Sequence, residues 1–196
     1  MVKRPILALI HILESFTEWT GKLISWLTLF IVLVVVAVLV LRNIFGFSAI
    51  PLQESVTYMH GIVFMLGAAY TLKHHDHVRV DVFYHRFSHR TKALVDMVGF
   101  LVLLLPVCIF LIVYSLDYVI FNWKIKEGSS QPGGLPYLYL LKTILLALPI
   151  TLIIQGIAQF LHNLAYLLGW KALPHGAEED TEAAPQLTDD KELHHG

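Results

Sequence analysis

Histidines cluster in the polar segment that follows residue 73, at a spacing that zinc sites use. They are His74, His75, His77, His85 and His89. A zinc site needs ligands held in a tetrahedral set, but nothing in this segment fixes such a set, and no cysteine joins the histidines. We therefore expect a solvated, histidine-rich loop that binds no metal.

Haem ligation is the main alternative chemistry, because membrane cytochromes with four helices hold haem between histidines on facing helices. The candidates are His60, in the first half of an apolar segment, and His162, in the second half of another. If both segments cross the membrane in the same direction, the two imidazoles lie at opposite depths and cannot share one haem. A pair formed by His74 or His75 with His162 stays open. We expect no cofactor.

Two further residues of opposite charge, Asp117 and Lys142, lie inside apolar segments and could form an ion or proton site. Asp117 is about 9 Å from the end of its segment, where an unpaired carboxylate is disfavoured in lipid. Lys142 enters the next segment from the same side. A transport site usually gathers several acids or broken-helix carbonyls at the midplane, so we predict a structural ion pair, or side chains that face protein.

A second predicted ion pair joins Arg42 and Glu54, at the facing ends of consecutive apolar segments. No catalytic triad, phosphate-binding glycine loop or suitably placed pair of carboxylates is found. The lone Cys108 lies in an apolar run, where a thiol is a packing residue. A net charge of −1 gives no sign of nucleic-acid binding. We expect a protein that is not an enzyme.

The elements that carry these residues are apolar segments long enough to cross a bilayer. Hydrophobic residues make up 56% of the 196-residue chain and charged residues 15%, too few to coat a soluble domain. We predict an all-α integral membrane protein with spans at about residues 23–42, 53–73, 93–123 and 138–168. An amphipathic helix in the membrane interface should precede them over residues 1–22, and an acidic, disordered tail should follow over residues 171–196.

The distribution of basic residues predicts the orientation. Lysines and arginines concentrate in the segment 73–92 and near both termini, whereas the opposite side has Arg42, Lys124, Lys126 and Lys142. Cytoplasmic loops of membrane proteins carry the excess of such residues. Both termini are therefore expected in the cytoplasm. The turn-rich segment 124–136 then lies outside and should be ordered only by packing on something else.

The sequence from residue 53 to 84 is more specific than a generic span. Glu54 is followed by Leu66-Gly67-Ala68-Ala69-Tyr70 and then by His77-Val78-Arg79-Val80-Asp81. Further fragments occur in order: Glu127-Gly128-Ser129, Gly133-Gly134-Leu135-Pro136, Lys142, Pro149 and Gln155-Gly156. From the first span to about Gln159, the chain resembles the small permease (DctQ-like) subunits of TRAP transporters, the tripartite ATP-independent periplasmic carriers.

The resemblance implies a multi-pass subunit of the bacterial inner membrane, surrounded by membrane lipids. It would act as a scaffold for a large, many-span permease subunit that carries the substrate and sodium sites. A periplasmic binding protein would deliver an organic acid, and the outer turns, residues 45–53 and 124–136, would help to dock it. Two alternatives remain: a haem-binding redox subunit with four helices, or the small subunit of another tripartite carrier.

The resemblance also suggests which residues meet the partner or the scaffold. They are Arg42, Gln53, Glu54, Gly67, Ala68, Arg79, Asp81, Glu127, Ser129 and Gln155. Members of the family often carry an aromatic residue and a second acid just before this glutamate, but here Leu52 and Gln53 stand there. The outer turn of this chain therefore departs from the family pattern.

Overall fold

A computed structural model of the protein describes residues 3–73 and 88–170. All regular elements in these residues are helical: α1 (Lys3–Ile44), α2 (Ile50–Lys73), α3 (His89–Gly99), a π-helical turn (Phe100–Leu104), α4 (Leu105–Ile125) and α5 (Leu138–Leu167). The three elements from α3 to α4 join into one rod. Four helices of the described chain are thus long and apolar enough to cross a membrane. The prediction of an all-α membrane protein with four spans is confirmed.

Helix α1 continues without a break through residue 22, where the sequence indicated a boundary between an interfacial helix and the first span. Its 42 residues make a helix about 63 Å long, roughly twice the hydrocarbon thickness. Part of α1 must therefore lie outside the hydrocarbon core, and an interfacial position for residues 1–22 stays a prediction. The predicted acidic tail, residues 171–196, lies outside the described residues.

The last helix, α5, is the centre of the bundle and packs against α1, α2, α3 and α4. Its buried positions include Gly156, Ala158 and Ala165, small residues that let neighbouring helices approach closely in lipid. A β-carbon at Gly156 would lie 2.3 Å from Cε2 of Phe100, so the ring of Phe100 occupies the space that a side chain would need. Glycine at this position fixes the contact between α5 and the rod from α3 to α4.

The π-helical turn explains how the third span accommodates a proline. Pro106 has no backbone N–H, so the carbonyl of Val102 lacks its usual donor four residues later. The chain widens just before this point, and the N–H of Leu105 donates to the carbonyl of Phe100, five residues back. The irregular turn ends at Leu104, two residues before Pro106.

Candidate functional site

The bundle has two ends, which we name after one residue each. The Glu54 end contains the turn 45–49 and the loop 126–137. The His162 end contains the start of α1 and the end of α5. Polar side chains are concentrated at both ends.

Glu54, in the first turns of α2, fastens the loop 126–137 to the bundle. One of its carboxylate oxygens accepts a short hydrogen bond from Oγ of Ser129. The other accepts from the backbone N–H of Leu135, at 2.7 Å. Hydrogen bonds to a carboxylate are stronger than those between neutral groups, so this half-buried side chain joins α2 to two positions of the loop.

The loop also holds its own shape. The N–H of Ser129 donates to the carbonyl of Leu135 at 3.0 Å, and the N–H of Gly134 donates to the carbonyl of Gln131 at 3.0 Å. A β-carbon at Gly134 would lie 2.5 Å from Oγ of Ser129 and 2.8 Å from Oε1 of Glu54. The loop packs on α2 through Glu54, as expected, but it also has internal hydrogen bonds, so packing on another element is only part of what holds it.

Lys142 in α5 is bound to the same loop. Its Nζ makes a short ion pair with Glu127 and donates to Oδ1 of Asn122 at 2.8 Å. The predicted pair of Lys142 with Asp117 does not form, and Asp117 is exposed. A lysine near a helix end extends its ammonium towards the membrane surface, so it meets Glu127 at the helix ends rather than the deeper Asp117. Asn122 was not identified from the sequence as a partner of Lys142. Its position one turn before the end of α4, close to where α5 begins, was the signal that could have indicated it.

The predicted pair of Arg42 and Glu54 does not form either. Both oxygens of Glu54 are engaged by the loop, and Arg42 is exposed in the last turn of α1. A cation there interacts favourably with the negative end of the helix dipole. Glu54 thus joins α2 to the later loop 126–137 and not to the end of α1.

A polar cleft of about 440 Å³ lies beside this loop. Its walls come from α2, the loop and the start of α5, and its lining includes Gln53, Glu54, Thr57, Tyr58, Ser130 and Gln131. Gln53 is exposed at its mouth. Three of the predicted interface residues, Gln53, Glu54 and Ser129, therefore come together here, and Glu127 lies in the same loop.

The other predicted interface residues are not part of this cluster. Gly67 and Ala68 line a shallow apolar groove between α1 and α2. Gln155 is fully buried inside the bundle, with no hydrogen-bond partner for its amide among the described residues, so it does not lie on a surface that a partner can reach. Arg79 and Asp81 lie outside the described residues.

At the His162 end, charged side chains join α1 to α2 and α5. Lys73 pairs with Glu18 at 2.6 Å, and Nδ1 of His162 lies 3.3 Å from Glu14. His162 is only 4% exposed. An imidazole engaged by a carboxylate and enclosed by helices is poorly placed to ligate haem, and His60, exposed on α2, is in the other half of its span.

The histidine-rich segment gives no metal site that the structure describes. His74, His75, His77 and His85 lie outside the described residues, while His89 is the first residue of α3. In residues 3–73 and 88–170, no three histidine, cysteine or acidic side chains lie close enough to hold a metal ion.

The family model described as "Tripartite ATP-independent periplasmic transporters, DctQ component" matches residues 31–165. The chain belongs to this family. It is therefore a small membrane subunit of the TRAP transporter type. The members of this family are transporter components and not enzymes. Comparison with curated proteins and with solved structures finds no match.

The DctQ match covers most of the bundle but not all of its polar contacts. It includes Glu54, the loop 126–137, Lys142 and His162, whereas Glu14 and Glu18 on α1 precede residue 31. The Glu54 end thus lies wholly within the family's shared region. At the His162 end, the carboxylates that contact His162 and Lys73 belong to the part of α1 that the match leaves out.

Proposed function

We propose that this chain is the small membrane subunit of a sodium-driven transporter that takes up an organic acid delivered by a periplasmic binding protein. The chain acts as a scaffold for the large permease subunit and contributes to the surface on which the binding protein docks. Its membership of the DctQ family supports the assembly. The substrate class and the sodium dependence rest on the resemblance of residues 53–84 to small permease subunits.

The scaffold role is supported by charged side chains that join neighbouring elements of the bundle. Glu54 joins α2 to the loop 126–137, Lys142 joins α5 to Glu127, and Glu18 joins α1 to Lys73 of α2. A moving carrier must release and remake such contacts during transport. Charges that bind neighbouring helices at both ends of the bundle instead favour a rigid body.

The exposed surface of the bundle also fits a subunit that packs on something larger. In the most apolar window of each spanning helix, only 22% of residues are buried for α5 and 6% for the other three. Most residues of these windows therefore keep part of their surface open to lipid or to a partner. A binding surface for a large permease needs such a wide apolar area.

The Glu54 end is the proposed periplasmic side, as the distribution of basic residues predicts. On this side, the loop 126–137 is ordered, and Phe45 and Phe47 in the neighbouring turn are 69% and 61% exposed. Aromatic side chains on an ordered, polar surface are typical of protein–protein contacts. We propose that the binding protein docks here.

The orientation can be tested with single cysteines, because the native Cys108 is buried, at 2% exposure. In intact cells whose outer membrane has been made permeable, an impermeant maleimide should label Gln131→Cys and should label Leu168→Cys only after lysis. Labelling of Leu168→Cys in intact cells would reverse the orientation and move the proposed docking surface to the cytoplasm.

The assembly is tested by purifying the tagged chain from its native membrane in mild detergent and identifying what accompanies it. A stoichiometric, many-span membrane protein is expected. Reconstituted with that protein and the binding protein, it should take up an organic acid only when a sodium gradient is present. Recovery of the chain alone would refute the scaffold role.

A further inference from the structure

One face of α4 carries polar groups outward at the depth of the hydrocarbon core. Helix α4 packs on α5 through buried Cys108, Val119 and Asn122. The rest of its circumference is exposed. Two strips on this exposed part differ sharply in chemistry.

The first strip, which we call the aromatic–acidic seam, consists of Phe110, Tyr114, Asp117 and Phe121. Their spacing of four, three and four residues is that of the contact positions in a coiled coil. Phe110, Tyr114 and Phe121 are 55%, 70% and 59% exposed, and Asp117 is also exposed. The rings of Phe110 and Tyr114 lie 4.3 Å apart, so the seam presents a continuous surface.

The second strip, the aliphatic strip, consists of Ile109, Leu116 and Ile120. These residues are 49%, 44% and 43% exposed. They lie at least about 120° around the helix from Tyr114. Because these side chains are apolar, contact with lipid tails costs them no free energy, and this strip needs no protein partner.

An aromatic pair marks the membrane surface near the seam. The rings of Trp123 and Tyr139 pack edge to face at 4.8 Å, and Nζ of Lys126 lies 4.5 Å from the centre of the Trp123 ring. Tryptophan and tyrosine with a nearby lysine are typical of the headgroup level. Asp117 is then about 9 Å, and Tyr114 about 14 Å, deeper than Trp123 along the helix, within a half-core of about 15 Å.

A carboxylate facing lipid at this depth is strongly disfavoured unless a cation or a hydrogen-bond donor accompanies it. Among the described residues, Asp117 makes no ion pair or hydrogen bond, and the neighbouring cation Lys142 is engaged by Glu127 and Asn122. The hydroxyl of Tyr114 likewise has no described partner. Neither polar group on the seam thus has a partner in the described part of the chain, and a membrane helix of another subunit can supply one.

We infer that the aromatic–acidic seam binds a membrane helix of the large permease subunit, and that this helix places a basic side chain opposite Asp117. The inference rests on the proposed function and adds the surface and the chemistry of the contact. The four-three-four spacing favours a left-handed crossing of about 20°. The aliphatic strip faces lipid in the same complex.

Photo-crosslinking in the co-expressed native complex tests the geometry. p-Benzoylphenylalanine replacing Tyr114 should crosslink to the large subunit, whereas the same probe replacing Leu116 should not. The inference is overturned if Tyr114 and Leu116 give equal yields, if the probe at Tyr114 captures only lipid, or if it captures a second copy of this chain. Failure of the unmodified chain to recover any large subunit would instead refute the proposed function.

Replacement of Asp117 tests the charge. Asp117→Leu should lower the recovery of the large subunit at least about tenfold, because the partner's cation then lies unpaired in the membrane. The isolated chain should unfold at the same temperature or higher, since a lipid-exposed carboxylate has been removed. Leu116→Ala is the matched control and should leave recovery within twofold. Unchanged recovery for Asp117→Leu, or a loss matched by the control, would overturn the inference.

Discussion

The contact between Glu54 and the loop 126–137 gives a quantitative prediction. In Glu54→Leu, the hydroxyl of Ser129 and the N–H of Leu135 lose the carboxylate that accepts from them. A hydrogen bond to a charged group contributes about 1.5–3 kcal/mol. Because Glu54 is half-buried, we take a value near the lower end for each bond, and expect opening of the loop to become easier by roughly 2–4 kcal/mol.

Hydrogen exchange at Ser129 measures this opening. Its N–H donates to the carbonyl of Leu135, and the substitution removes neither group of that bond. A reduction of 2–4 kcal/mol in the free energy of opening corresponds to exchange faster by roughly 30-fold to 900-fold. Amides in the middle of α2 and α5 should keep their rates, since the change is confined to one end of the bundle.

Two variants sharpen this experiment. Glu54→Gln keeps one acceptor oxygen and should give an intermediate rate. Gln53→Leu adds an equal apolar side chain beside the same cleft without touching the contact, and should leave the rate of Ser129 unchanged. If Glu54→Leu changes the exchange of Ser129 by less than about threefold, the loop is held by its own backbone bonds and the role assigned to Glu54 is incorrect.

Three further predictions concern packing and burial. Gly134→Ala should loosen the loop 126–137 as Glu54→Leu does, because the new β-carbon would lie within 3 Å of Ser129 and Glu54. Faster proteolytic cleavage within the loop would measure this loosening. Gly21→Ala should lower the unfolding temperature by several degrees, since its β-carbon would lie 1.9 Å from the Tyr70 ring, whereas Gly67→Ala, with open space around it, should not. Gln155→Leu should stabilise the isolated chain by about 1–3 kcal/mol, because it removes a buried amide that has no partner; unfolding in detergent measures it, and a destabilised variant would reveal an unseen partner for the amide.

The spans could be predicted from the sequence because length and composition determine them. A run of about 20 apolar residues crosses a bilayer whatever it packs against, and the predicted segments 53–73 and 138–168 differ from α2 and α5 by at most three residues at either end. The continuity of α1 was not predicted. A change from polar to apolar composition at residues 22 and 23 alters the helix's surroundings but leaves its backbone hydrogen bonds intact, so composition alone gives no helix end.

The ion pairs could not be predicted in the same way, because pairing depends on direction as well as depth. Asp117 and Lys142 enter their helices from the same side, but Asp117 points away from α5 while Asn122, five residues later, is buried against it. At about 100° per residue, these positions differ by about 140° around α4. Depth can be estimated from the distance to the helix end, whereas the choice of neighbour needs the packing of α4 on α5.

Lys142 and His162 therefore differ from Asp117 in their consequences for assembly. Lys142 and His162 have partners on other elements of this chain, so these two side chains are engaged before any subunit joins. Asp117 lies on the opposite side of α4 from those contacts. A carboxylate that faces outward with no partner in the described part of the chain would gain stability from a subunit that neutralises it, and this makes Asp117 the residue at which folding and assembly can be separated by experiment.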